Sequence, residues 1–130
     1  MIYSTRKELA DAVISEYDRA VKGQCEQLYY CKARIFMPDN SDFIILQSYS
    51  TIVATYQRST GILWVFDFYS NTTASHIAKF RNWLRYAYQT GRNYPIIVRL
   101  YNNSRTGKRA ARKNIEDDFA SVIASALNQR

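Results

Sequence analysis

The sequence predicts an α+β domain: an antiparallel sheet of about five strands with helices packed on it, in the order α-β-β-β-β-α-β-α. Three observations carry this. Apolar residues recur at helical spacing in three segments and at period two in others. Residues such as Pro38, Asp39, Asn40, Gly61 and Gly91 separate those segments with turn chemistry. The 130 residues are 47% hydrophobic and 15% aromatic, enough for one core and too apolar for intrinsic disorder. A single domain over 1–130 is expected.

The first helix is read over residues 5 to 22, because Thr5 and Glu8 have capping-box spacing and Leu9, Val13, Tyr17 and Ala20 then recur every three or four residues until Gly23. From Gln27 to Met37 the period becomes two, with Tyr29, Cys31, Ala33, Ile35 and Met37 on one side, so one half-buried strand is predicted. Phe43-Ile44-Ile45-Leu46 starts a second, and Thr51–Gln57 and Ile62–Tyr69 make two more, with Gly61 suited to a positive φ between them. In the last of these Ile62, Trp64, Phe66 and Phe68 share one face and Leu63, Val65 and Tyr69 the other, so this strand is predicted to be central.

Thr72 or Thr73 is expected to cap the second helix, whose apolar arc is Ile77, Phe80, Trp83, Leu84, Ala87 and Tyr88 and which ends at Gly91. A strand over Ile96 to Tyr101 follows Pro95. Ile115, Phe119, Val122, Ile123 and Ala126 then define a terminal helix beginning near Asn114, where Glu116, Asp117 and Asp118 suit the helix dipole.

Charge is the most informative bulk property. The formal net charge is +7, yet from Phe68 to Ile115 there is no acid and there are ten cations. Five of them, Arg105, Lys108, Arg109, Arg112 and Lys113, fall within nine residues. Clustered guanidinium and ammonium groups release counterions on meeting a polyanion, so nucleic acid or a nucleoprotein is the partner this pattern suggests. Lys79, Arg81 and Arg85 lie on the exposed arc of the second helix, which carries no acid for intrahelical ion pairs, and they join the candidate surface. Tyr86, beside them, is expected at the half-buried rim of the core, as amphipathic aromatics usually are. Asp67 is expected to pair with Arg99 on a neighbouring strand.

Other classes find less support. Four isolated glycines make no phosphate-binding loop, and no acid cluster suits magnesium. Cys25 and Cys31, in one extended segment, would sit about 20 Å apart. With His76 the single histidine, two free thiols and no metal or other cofactor are expected. His76 itself is read as a first-turn histidine bonded to neighbouring hydroxyls or backbone rather than as a catalytic base. No segment has the roughly 18 apolar residues of a membrane span, so a soluble intracellular protein is expected.

Two segments resemble known sequences. Ser48-Tyr49-Ser50-Thr51-Ile52-Val53-Ala54 and Tyr69-Ser70-Asn71-Thr72-Thr73-Ala74-Ser75-His76-Ile77-Ala78-Lys79-Phe80 are similar to SYxTxVA and YSxTTxxHIxxF patterns in a group of small phage and mobile-element proteins. The likeness covers about residues 44 to 85. It implies a cytoplasmic accessory protein made during infection or element transfer, an origin that includes inhibitors of CRISPR effectors. It supplies no activity and no residue roles, and the basic run lies outside it. Physically, Tyr69, Ser70, Thr72, Thr73 and His76 read as the joint where a strand turns into a capped helix.

The preferred functional expectation is therefore a non-enzymatic protein that binds nucleic acid or a nucleic-acid machine. One alternative is a metal-independent basic ribonuclease of the toxin type using Arg81, Arg85, Tyr86 and Arg99. Another is a structural, self-assembling phage protein.

Overall fold

The computed structural model describes residues 3–20, 25–28, 32–66, 70–88, 95–104, 111–114 and 124. In chain order these form α1 (Arg6–Arg19), β1 (Cys25–Gln27), β2 (Ala33–Phe36), β3 (Phe43–Ser48), β4 (Thr51–Gln57), β5 (Ile62–Val65), α2 (Asn71–Trp83), β6 (Ile96–Arg99), β7 (Tyr101–Ser104) and β8 (Ala111–Asn114). The α+β class holds. The main sheet has six strands in the order β1-β2-β3-β4-β5-β6, and β7 and β8 form a separate two-stranded sheet.

The sixth strand is β1, which runs just ahead of the segment predicted as one strand over Gln27–Met37 and takes its first residue. The chain reverses after it, and Cys25, Glu26 and Gln27 pair antiparallel with Phe36, Ile35 and Arg34. The Leu28 N–H donates to the Ala33 carbonyl at 2.9 Å, closing the hairpin. Residues 28–32 contain no glycine, proline or asparagine, so the alternation continues through the reversal without a turn signal. Cys25 therefore lies on a different strand from Ala33 to Phe36 rather than in one extended segment with them. Cys25 is a half-buried free thiol, and Cys31 lies outside the described residues.

The sheet is antiparallel from β1 to β5, but β5 and β6 run parallel, with Ile62 opposite Ile96 and Val65 opposite Arg99. A helix long enough to cross the sheet returns the chain to the end from which β5 started, and that makes the next strand parallel.

Helices cover both faces. Leu9 and Val13 of α1 pack with Phe43, Ile45, Ile62, Trp64 and Phe66, while Phe80 and Leu84 pack with Ile35, Ile44, Leu46, Ala54, Leu63 and Val65. Of the division predicted for the strand over Ile62–Tyr69, the described part is observed, with Ile62, Trp64 and Phe66 in one cluster and Leu63 and Val65 in the other, while Phe68 and Tyr69 lie outside the described residues. A bulge in β4 lets Val53 and Ala54 both face α2: Leu46 pairs with Ala54 and Gln47 with Ile52, leaving Val53 as the extra residue.

Helix α1 is capped as the spacing suggests. Thr5 accepts from the Glu8 N–H at 3.1 Å, while the Glu8 carboxylate reaches back to the Ser4 N–H at 2.9 Å. The helix closes at Ala20, earlier than predicted. The cap of α2 is Ser70 rather than Thr72 or Thr73; its hydroxyl accepts from the Thr73 N–H at 3.1 Å. Gly61 takes φ 73°, as expected for its hairpin.

The strand predicted over Ile96 to Tyr101 stays in the main sheet only through Arg99. Tyr101–Ser104 pairs instead with Ala111–Asn114, so part of the basic run is a β-strand. Of the terminal helix predicted from near Asn114, Asn114 itself is the last residue of β8 and Ala124 is helical, and the rest lies outside the described residues, as do Asp67, Gly91 and Arg92, one of the ten cations of the acid-free stretch.

Candidate functional site

Two groups of residues come together around α2, one on each flank. The first links the two motif segments. The Ser48 hydroxyl at the end of β3 and Nδ1 of His76 in α2 share a hydrogen bond of 2.8 Å, both residues are almost fully buried, and 28 positions separate them in sequence. Thr73 is buried in the turn before His76, and the Tyr49 ring lies 5.7 Å from the imidazole. His76 thus finds its partner across the fold rather than among its neighbours. Burial, with the charge of Lys79 adding to it, holds its pKa below the ordinary 6.5, so the ring is neutral at neutral pH. A buried neutral pair bridging two elements acts as a clamp holding α2 to the β3–β4 turn, which fits the reading of this joint as structural.

Tyr49 differs from its surroundings. It is 58% exposed and holds a left-handed φ of 55° in the two-residue turn between β3 and β4, a conformation costly for an aromatic residue.

The second group is cationic. Arg81 from α2 and Arg99 from β6 border one open cleft of about 220 Å³, with Val65, Ala74, Ile77, Ala78 and Ile97 making up the rest of its lining. The sequence explains the cleft locally. Ala74 and Ala78 are one turn apart, so that flank of α2 has no bulk to close down on β5 and β6. The parallel pairing sets Val65 directly opposite Arg99, putting an apolar residue and a cation side by side on the sheet.

Arg85 follows Arg81 by one turn, in a π-helical segment, Leu84–Tyr88, that continues α2. Its guanidinium lies 5.0 Å from the centre of the Tyr86 ring. Tyr86 is 66% exposed, so its expected place at a half-buried rim is overturned. The helix turns it past the packed arc of Phe80 and Leu84, and Arg85 covers one of its faces.

The cations predicted from α2 therefore divide. Arg81 shares the cleft with Arg99, and Arg85 lies beyond it in the π-helical segment, whereas Lys79 stands about 200° around the helix from Arg81, close enough to His76 to act on its titration. Of the basic run, Arg112 and Lys113 are in β8, at positions paired with Asn103 and Asn102. Arg105, Lys108 and Arg109 lie outside the described residues. Strand β7 starts at Tyr101, two positions after Arg99, so by connectivity the chain leaves the main sheet for the β7–β8 pair just after Arg99.

Three features escape a reading of the sequence alone. Ser48 belongs to the first motif segment, but its partner exists only in the fold. The alanine pair carries a signal, since Ala74 and Ala78 stand at helical spacing among polar residues. The exposure of Tyr86 also has one, in its position next to Arg85 on the polar arc.

Among the described residues no helix is long and apolar enough to cross a membrane, and no three His, Cys, Asp or Glu side chains gather as metal ligands would. No curated protein and no solved structure matches the chain. A family of unknown function (DUF8033) matches residues 2–93, a span that holds α1, β1 to β5 and α2 and stops before β6 and the basic β7–β8 pair. The chain belongs to that family of unknown function.

Proposed function

We propose that this is a non-enzymatic cytoplasmic protein that binds nucleic acid or a nucleoprotein through the cationic surface around α2, Arg99 and the β7–β8 pair. The observation that carries the reading is the convergence of Arg81 and Arg99, from two separate elements, on one open cleft beside the start of β7. Arginine forks suit phosphate oxygens, and several cations on one side of a molecule give affinity through counterion release. The exposed Tyr86 with Arg85 on its face adds the aromatic component common in single-strand binding. An accessory role in phage infection or element transfer, including inhibition of a Cas effector, is the biological setting we propose for such a surface.

The test is binding to single- and double-stranded DNA and RNA across a salt series, with the recovered nucleic acid checked for cleavage in EDTA. A steep fall of affinity with salt supports the reading. Replacing Arg105, Lys108, Arg109, Arg112 and Lys113 with Ser should lower the slope by about one for each side chain that meets a phosphate. Binding that is weak and insensitive to salt overturns the reading. Cleaved RNA would instead favour the ribonuclease alternative, because Arg81 and Arg99 do share a cleft.

A further inference from the structure

We propose that the cleft between α2 and β6 seats one unit of a single-stranded nucleic acid, its base on the apolar lining and its phosphates at Arg81 and Arg99. This deepens the polyanion-binding reading above and rests on it. The lining has the mixed chemistry that a nucleotide presents. Val65, Ile77, Ile97 and the two alanines offer apolar surface, and two guanidiniums stand at the border.

Size narrows the ligand. At about 220 Å³ the cleft is smaller than the roughly 300 to 1,000 Å³ that encloses a drug-sized ligand or cofactor. It accommodates one group of a longer molecule whose remainder runs over the surface. Arg85 and Tyr86 lie four and five residues past Arg81, in the π-helical segment that continues α2, where an adjacent base can stack on the exposed ring. A duplex cannot use this arrangement without first unpairing and unstacking a base, which opposes binding. The cleft therefore favours single strands, while a surface acting only through charge would not.

Ala78 is an exposed helix position, so a larger side chain there fills the cleft without entering the core. The experiment compares a labelled twelve-nucleotide single strand with a duplex of the same length, at matched salt, for the whole chain and for Ala78→Leu and Arg99→Gln. Thermal melting of each variant verifies folding. The expected result is single-strand binding about tenfold tighter than duplex binding. Ala78→Leu should abolish that preference while leaving the salt slope intact, and Arg99→Gln should lower the slope by about one. Equal binding of strand and duplex, or an Ala78→Leu variant that keeps the preference, overturns the cleft assignment and leaves the polyanion reading standing. Failure to bind either probe at low salt overturns both. Should Ala78→Leu melt early, Ala74→Leu, at the other exposed alanine, provides the same blockade.

Discussion

The Ser48 hydroxyl and His76 Nδ1, 2.8 Å apart in the buried space between the β3–β4 turn and α2, join the two motif segments into one structural unit. The bond ties α2 to the β3–β4 turn at a helix position five residues before Arg81. Ser48→Ala leaves the imidazole nitrogen buried without this hydroxyl. It should cost about 1 to 3 kcal/mol in denaturant unfolding. An unchanged midpoint would show that the bond is incidental to α2 docking.

The same histidine gives the stability a pH dependence. Its folded pKa is lowered, by burial first and by Lys79 second, so the unfolded chain takes up a proton near pH 6.5 while the folded one does not. The contribution of His76 is therefore full above about pH 6.5 and is lost as pH falls toward the lowered value. Melting temperatures measured from about pH 8 to about pH 5 should decline over this range, and His76→Asn should flatten that part of the decline. A parallel decline in the variant would assign the effect to other groups.

Tyr49 holds φ 55° with more than half its surface in water. Asparagine tolerates the left-handed region, so Tyr49→Asn should stabilise the fold by up to about 1 kcal/mol if backbone strain outweighs the ring's approach to His76. Calorimetric melting decides between the two effects. A lower melting temperature would mean that packing against the imidazole dominates.

Tyr86 separates binding from folding. Because it is 66% exposed, Tyr86→Ala should change stability by no more than about 0.5 kcal/mol. It should weaken single-strand affinity about tenfold, the worth of one stacked base. Fluorescence anisotropy with a short oligonucleotide measures it, and unaltered affinity would remove Tyr86 from the interface.

Phe80 is fully buried against the sheet and stacks with Trp83 at 6.2 Å between ring centres. Phe80→Ala should cost about 3 to 5 kcal/mol in denaturant unfolding. Binding by the residual folded protein should also weaken, since Arg81 is the next residue along the helix that Phe80 anchors. Full affinity in a variant destabilised to that degree would show that Arg81 is placed independently of this packing.

Much of this molecule is written locally. The α+β class, the cap at Thr5, the two-sided β5 strand, the positive φ at Gly61 and the acid-free region all follow from side-chain period, turn chemistry and charge, which act between residues close in sequence. Tertiary structure decided the rest. The reversal after Gln27 has no turn residue to announce it, and pairing with β2 determines it. The parallel register of β6 depends on how α2 crosses the sheet. The partner of His76 and the division of Lys79 from Arg81 and Arg99 depend on which helix face the core claims. Periodicity reports that a face is buried; what it is buried against, and which cations that leaves together, is decided by contacts between residues far apart in the chain.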